Sequence, residues 1–439
     1  MLKCRHNAMI PVHDTHFFRH FCIGFLLAGC LGRTLFAQTA YTWQQLKDKF
    51  EATNPTLQAA HLNIDESRAQ EITAYLRPNP QFSVTADQIG HNTTSNPFKE
   101  FLNAYSVGYL HERQHKRELR RDSAKESTAV TESSYLDQER GLLFDLRSAF
   151  VQLLQAKAVL QNAKENLDYW DRELAVNQRR FDAGDLALVD LNRLVLQRAQ
   201  FEADFETATV NLRTSKIQLL TLLNDRTPID RFDVIGQYDF QEQLMPLEEF
   251  RNIALAARPD LKAAMQSVDL AKINHQLAIA NGSVDPTFGF DVAAPSLTSN
   301  YLSWAFPLYQ YVGFNVSVPL RIFDKNQGEK LRTQIDIGRN ERLREAAQAS
   351  VFSDVDSAYW TLIQALNLLK PYKAKYLPLA EDNRNRISIS FQNGGASLLD
   401  LLDSEKAYRD TRVAYLNLIG SYLTAAAQMN VAAGREVMQ

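Results

Sequence analysis

Two stretches far apart in the chain carry one pattern. "RRFDAGDLALVDLNRL" begins at Arg179 and "SFQNGGASLLDLLDSE" at Ser390. Both read Phe-x-x-Gly-x-x-x-Leu-x-Asp-Leu, through Phe181, Gly184, Leu188, Asp190 and Leu191 in the first and Phe391, Gly394, Leu398, Asp400 and Leu401 in the second. The offset is about 210 residues, close to half of the 439, which marks an internal duplication. A second echo supports it: in "LKDKFEATNPTLQAA" and "FRNIALAARPDLKAA", Asn54-Pro55 aligns with Arg258-Pro259, and Leu57, Ala59 and Ala60 align with Leu261, Ala263 and Ala264. A chain of this length would ordinarily hold two or three unrelated domains. The duplication instead predicts one architecture built twice, with a first repeat over 38–235 (helix, two strands, two long helices) and a second of the same plan over 236–439.

Long helical patterns dominate each copy. From about Glu118 to Arg180 there is no proline and only one glycine, Gly141. Apolar residues recur there at steps of three and four, through Leu143, Leu146, Phe150 and Leu153 and again through Leu160, Ala163, Leu167, Trp170 and Leu174. That is a heptad-like seam on one helix face. Roughly sixty residues at 1.5 Å each make a rod of about 90 Å. Such rods bury a seam only against one another, so an extended coiled-coil bundle is expected. A second helix is predicted over about Val189 to Leu223. The second copy's long helix is predicted over about Glu329 to Gln392, with Pro371 and Pro378 as local distortions.

Between the short and long helices of each copy the period changes to two. Phe82, Val84 and Ala86 alternate with Ser83, Thr85 and Asp87; Tyr105, Val107 and Tyr109 follow; the second copy offers Phe288, Phe290 and Val292, then Phe314, Val316, Val318 and Leu320. Alternation of one apolar and one polar face is a strand signal. With their flanks the four candidates approach the nine to eleven residues that a tilted strand needs to cross a bilayer. The aromatic linker "NYLSWAFPLYQY" (Asn300 to Tyr311) has the character of an interfacial girdle. Four strands cannot close a barrel, and open edges cannot face lipid, so membrane strands here require several chains to share one barrel. Three chains would supply twelve.

All three cysteines, Cys4, Cys22 and Cys30, fall in the first thirty residues. The basic residue Arg19, the apolar run from Phe21 to Gly32 and the small-residue segment after it have the order of a secretory leader. Cleavage after Ala37 would leave a leader of 1–37. Alternatively, "LAGC" (Leu27 to Cys30) has the form of a lipobox, giving a leader of 1–29 and lipidation at Cys30. With 1–37 removed the net charge moves from −3 to −6 and no thiol remains, as suits an oxidising compartment. The rest of the chain holds no run of eighteen apolar residues, which leaves a β-barrel as the only membrane-crossing device.

These features together resemble the TolC family of bacterial outer-membrane efflux proteins across nearly the whole mature chain. The carriers are the duplication, "NPTLQAA" and "RPDLKAA", the doubled motif, and "VSVPLRIFDKNQGE" (Val316 to Glu329) leading from strand to helix. "PLRIFDKNQG" is most similar to the cobalt-zinc-cadmium efflux branch. The resemblance implies a mainly α fold with a membrane β-barrel portion: a long coiled-coil barrel plus four strands per chain, completing a twelve-stranded barrel in a homotrimer. It implies an outer-membrane location reaching into the periplasm, outer-membrane lipid around the barrel, and a periplasmic adaptor and an inner-membrane efflux pump as partners. The activity implied is passive conduction of small substrates, heavy-metal cations or drugs, with no enzyme chemistry, cofactor, bound metal or nucleic acid. The doubled motif then falls at the periplasmic end, where Gly184, Gly394 and Gly395 would form the helix turns. Asp190, Asp400 and Asp403 match positions that narrow the entrance with carboxylates. Arg193 stands where the second copy has Asp403, and would pair with a carboxylate across the entrance. Capping of a helix start is the plainer role for such aspartates.

Two rival readings are open to the residues. "HERQH" (His111 to His115) matches the His-Glu-x-x-His zinc pattern, which needs both histidines on one helix face. Here it begins where a strand pattern ends, which argues against a peptidase. A secreted coiled-coil scaffold without a pore is the other; detergent-dependent extraction from outer membranes separates it from a channel.

Overall fold

The computed structural model describes residues 39–87, 102–295 and 311–438. The expected leader with Cys30 and the aromatic linker over 300–310 lie outside the described residues. In chain order the elements are β1 (Thr39–Tyr41), α1 (Trp43–Thr53), α2 (Pro55–Ala74), β2 (Gln81–Asp87), β3 (Leu102–Leu110), α3 (Lys116–Asp182), α4 (Leu188–Leu222), β4 (Phe232–Val234), α5 (Leu247–Ala257), α6 (Pro259–Asn281), β5 (Thr287–Pro295), β6 (Tyr311–Ser317), α7 (Gln327–Pro371), α8 (Leu377–Gln392) and α9 (Leu398–Ala433). A helix pair, a strand pair and long helices thus occur in the same order on either side of β4.

The rod α3 is 67 residues long, about 100 Å at the standard rise. The short helices break where the aligned prolines stand. Asn54 caps α2 by accepting the Leu57 N–H on Oδ1 at 3.0 Å, and Pro55 takes the first helical position, where no N–H is needed. At the equivalent break Arg258 makes no cap. Its guanidinium is buried and paired with Asp260 at 2.5 Å and with Asp354 of α7 at 2.8 Å. The distortion expected near Pro371 and Pro378 is a five-residue π-helical turn, Tyr372–Tyr376, dividing α7 from α8. Each proline lacks an N–H and crowds the carbonyl four residues back, and a widened turn relieves both problems.

The strand candidates form one antiparallel sheet in the order β2-β3-β5-β6. Its register gathers like with like. Phe82, Val107, Phe290 and Phe314 lie in one row, and Val84, Tyr105, Val292 and Val312 in another. This face is apolar and uncovered, most of all at its edges, where Phe82 is 65% and Phe314 84% exposed, against 42% for Phe290 between them. The opposite face carries Ser83, Ser106, Asp291 and Gly313 in one row and Gly108, Gly289 and Asn315 in another. Among the described residues, β2 and β6 each keep one unpaired edge.

The start of the first rod is fastened to the lead-in of β5, tying the two copies together beside the sheet. The rods α3 and α7 start from left-handed residues, His115 (φ 54°) and Asn326 (φ 61°). Lys116 is buried and donates to Asp285 Oδ2 at 2.5 Å and to the Ser283 carbonyl at 3.0 Å, while the Arg113 N–H donates to Asp285 Oδ1 at 2.9 Å. The zinc-like pattern is consumed by this junction. His111 and His115 sit outside any helix, and Glu112 is engaged by the Arg120 guanidinium. No group of three or more His, Cys, Asp or Glu side chains converges among the described residues.

Three apolar clusters are strung along the bundle. One joins Leu46, Phe50, Leu146, Phe150, Leu219 and Phe232. A second joins Phe250, Val355, Leu362, Leu366, Tyr422 and Met429, and the third lies at the doubled motif. The parallel pair β1–β4, with Thr39 opposite Phe232 and Tyr41 opposite Val234, was not visible in the sequence. Lys157 of α3 anchors it, donating to both carboxylate oxygens of Asp233 at 2.9 and 2.8 Å.

Candidate functional site

Both copies of the doubled motif fold as the same reversal. Gly184 (φ 84°) and Gly394 (φ 77°) take the left-handed conformation that ends a helix without a Cβ penalty. In the first, the Gly184 N–H donates to the Phe181 carbonyl at 2.9 Å and that of Asp185 to Arg180 at 2.8 Å. In the second, Gly394 donates to Phe391 at 3.1 Å and Gly395 to Ser390 at 2.8 Å. Gly395 therefore serves through its N–H, in the place of Asp185, and its φ is not positive.

The two turns lie side by side at the end of the rods remote from the sheet. Trp170, Leu194 and Phe201 from α3 and α4 share one core with Phe391, Leu398 and Leu401 from the second turn, and Leu186 packs on it. Trp170 stacks on Phe201 with centroids 5.3 Å apart, and the Arg180 guanidinium lies 5.3 Å from the Phe391 ring centre.

The candidate entrance residues have different surroundings. Ser397 and Asp400 form a reciprocal cap on α9: Ser397 Oγ accepts the Asp400 N–H at 3.2 Å, and Asp400 Oδ2 accepts the Ser397 N–H at 3.0 Å and its hydroxyl at 2.7 Å. The hydroxyl and then the backbone N–H of Ser397 hold the Asp400 carboxyl below its ordinary range. Asp403, one turn on, is exposed and has no side-chain partner among the described residues. In the first turn Ala187 offers no side-chain cap, and Asp190 instead meets Arg193 of its own helix at 3.4 Å. Within one chain Arg193 is thus directed along α4 rather than across an opening.

Above the turns lies a buried acidic cluster that the sequence reading did not single out. Glu405 of α9 is only 5% exposed, and its Oε1 has no hydrogen-bond partner among the described residues. Burial pushes its carboxyl above the usual glutamate range; neighbouring Glu173 of α3 adds to this, while Tyr169 and Arg384 oppose it. Burial raises Glu173 as well. A signal was available: Leu398, Leu401, Glu405 and Tyr408 fall at steps of three and four, which puts a carboxylate on the apolar seam of α9.

Long helices that reverse at glycine turns, carrying at their far end a sheet with one apolar uncovered face, have the build of a membrane-channel subunit extended by a helical bundle. The chain belongs to the outer membrane efflux protein family, which matches residues 46–225 and again 251–435. It is similar to the cobalt-zinc-cadmium resistance protein CzcC of Cupriavidus metallidurans, 22% identical over 397 residues and covering 87% of each chain. It is also similar to the outer membrane protein TolC of Vibrio cholerae, 20% identical over 364 residues and covering 81% of this chain and 82% of that one. A solved structure of CusC shares the fold, with a TM-score of 0.74 at 18% identity over 90% of this chain and 92% of that one. As a member of this family the protein is an outer-membrane efflux channel, a conduit rather than a catalyst. No helix among the described residues is long and apolar enough to cross a membrane.

Proposed function

We propose that three copies of this chain close their four-stranded sheets into one twelve-stranded barrel, continued by a helical tunnel into the periplasm. The observation that carries this is the sheet itself: antiparallel, apolar and uncovered on one face, with β2 and β6 unpaired at its edges. In lipid those edges must find partners, and another copy of the same sheet supplies them. Each chain is built as two repeats, over 38–235 and 236–439, behind a leader that ends at Ala37 or before a lipidated Cys30. The trimer is the outer-membrane part of a tripartite system with a periplasmic adaptor and an inner-membrane pump. The names of the CzcC and CusC relatives favour heavy-metal cations among the small substrates carried.

The doubled turns form the periplasmic mouth in this reading. By threefold symmetry Asp190, Asp400 and Asp403 would ring it with carboxylate, favouring cations, and Arg193 would temper that charge on the first-copy side. The Asp400 cap and the ring are compatible roles, since a capping carboxylate keeps its charge.

Mass measurement of the detergent-extracted protein, followed by planar-bilayer recording, tests the reading. A trimer that conducts is expected; a stable monomer with no higher species would overturn it. Asp400→Asn with Asp403→Asn should weaken block by multivalent cations, and Arg193→Ala should increase leak. Intact mass separates a Gln38 N-terminus from lipidated Cys30.

A further inference from the structure

The geometry points to Asp291 as a second, independent determinant of ion preference, a carboxylate ring inside the barrel far from the turns. The inference rests on the barrel reading above and adds to it a residue of the membrane sheet.

The register fixes the side on which Asp291 lies. The apolar face must meet lipid, so the face bearing Ser83, Ser106, Asp291 and Gly313 must line the interior. On that face small and neutral residues predominate: Gly108, Gly289 and Gly313 leave room, and Ser83 and Ser106 satisfy one another at 2.6 Å. Among the side chains described in the sheet, Asp291 is the one that carries charge. It is half-buried, and no cation among the described residues pairs with it: its hydrogen bond comes from the neutral Nδ2 of Asn315, at 2.5 Å.

The sequence builds that contact. Asn315 stands opposite Gly289, and a Cβ on residue 289 would come within 2.5 Å of Asn315 Oδ1. Glycine at 289 therefore lets the amide lie across the sheet toward Asp291. Glycine at 313, directly opposite Asp291, leaves the carboxylate's other side open, with even an added Cβ no closer than 3.7 Å. Asn315 holds the charge in place without cancelling it. The arrangement sits beyond the full length of α3 from the doubled turns, several Debye lengths at physiological salt (~8 Å each), so the two rings act on a passing ion separately.

Recording in planar bilayers under a KCl gradient at low salt tests this, with Asp400→Asn and Asp403→Asn as the background. Three carboxylates, each acting through water and one Debye length of screening, raise the local cation concentration about two- to threefold. Because the same potential depletes anions equally, Asp291→Asn should reduce the cation-to-anion permeability ratio by about the square of that factor, roughly four- to ninefold; Asp291→Glu should retain the ratio, and Asp291→Lys should shift the reversal potential toward anions. The differences should shrink at ~1 M salt, where the Debye length is about 3 Å. Conducting trimers whose reversal potential is the same in all three variants would overturn the Asp291 assignment and leave the pore intact. Absence of conductance from wild-type trimers would instead overturn the barrel reading.

Discussion

Phe391 and Leu398 of the second turn are each 6% exposed, whereas Leu188 of the first is 57% exposed and its Phe181 is only half-buried. The backbone is the same in both: a left-handed glycine, then a helix that restarts four residues later. The chemistry around it is not. The second turn has a reciprocal Ser397–Asp400 cap and packs its apolar residues on α3 and α4; the first has Ala187 at the cap and an intrahelical Asp190–Arg193 pair. One copy completes the core of its own chain. The other turns Leu188 and Val189 outward, where the proposed trimer would place a neighbouring chain, while its Leu191 and Leu194 stay buried. A duplicated motif therefore conserves the reversal while its two copies divide the work of packing.

The sharpest way to break that comparison is to truncate the two phenylalanines. Phe391→Ala should destabilise the bundle by about 3–5 kcal/mol, as a buried aromatic does, and Phe181→Ala by much less. Thermal unfolding followed by helical circular dichroism checks this, and equal losses would mean that the first turn is buried in the assembled protein. Next come the glycines. Gly184→Ala and Gly394→Ala should each cost about 1–2 kcal/mol, because no atom lies within 4 Å of either added Cβ and only the backbone conformation is penalised. Unequal costs would show that one turn changes its backbone in solution.

A pH titration sharpens the contrast within the shared core. Glu405 and Glu173 have raised carboxyls, so their contribution to stability is complete below the ordinary glutamate value. It is lost as pH rises through the elevated one, at a slope of up to about 1.4 kcal/mol per unit for each group. Glu405→Gln should flatten this dependence and raise the melting temperature near neutral pH. Asp400 has the opposite sign: its depressed carboxyl contributes above the ordinary aspartate value, and the contribution is lost as pH falls through the lower one. The smallest effects concern the caps. Ser397→Ala should cost about 1 kcal/mol, whereas Arg193→Ala, which removes an exposed pair one turn apart, should change stability by only a few tenths. A larger loss in assembled trimers would give Arg193 a partner beyond its own helix.

What was legible in the sequence follows from what is periodic or local. Alternation displayed the strands of the sheet, steps of three and four displayed the rods, and Gly184 and Gly394 announced their turns because only the backbone is at stake there. The prolines at 371 and 378 showed where the long helix would deform, though not that the relief would be π-helical. Pairing of β3 with β5 and of β1 with β4 left no local trace, since each joins residues far apart along the chain. The acidic pair was hidden for a related reason: Glu173 and Glu405 become neighbours only when α3 and α9 pack. The spacing of Asp190 and Arg193 along one helix was legible too, and their pairing at 3.4 Å within the chain follows from it.

The short parallel pair β1–β4 also sets a schedule. Synthesis delivers Thr39–Tyr41 first, but their partner at Phe232–Val234 follows about 190 residues later. Closing a loop of that length carries a larger chain-entropy cost than the local turns do. Until then the opening strand is an unmatched edge, and the apolar cluster that includes Phe232 lacks one wall. A fragment ending near residue 225 would retain all the long helices of the first copy and still be unable to seal itself. The strand that closes the first copy is thus its own last segment, reached only after both of its long helices.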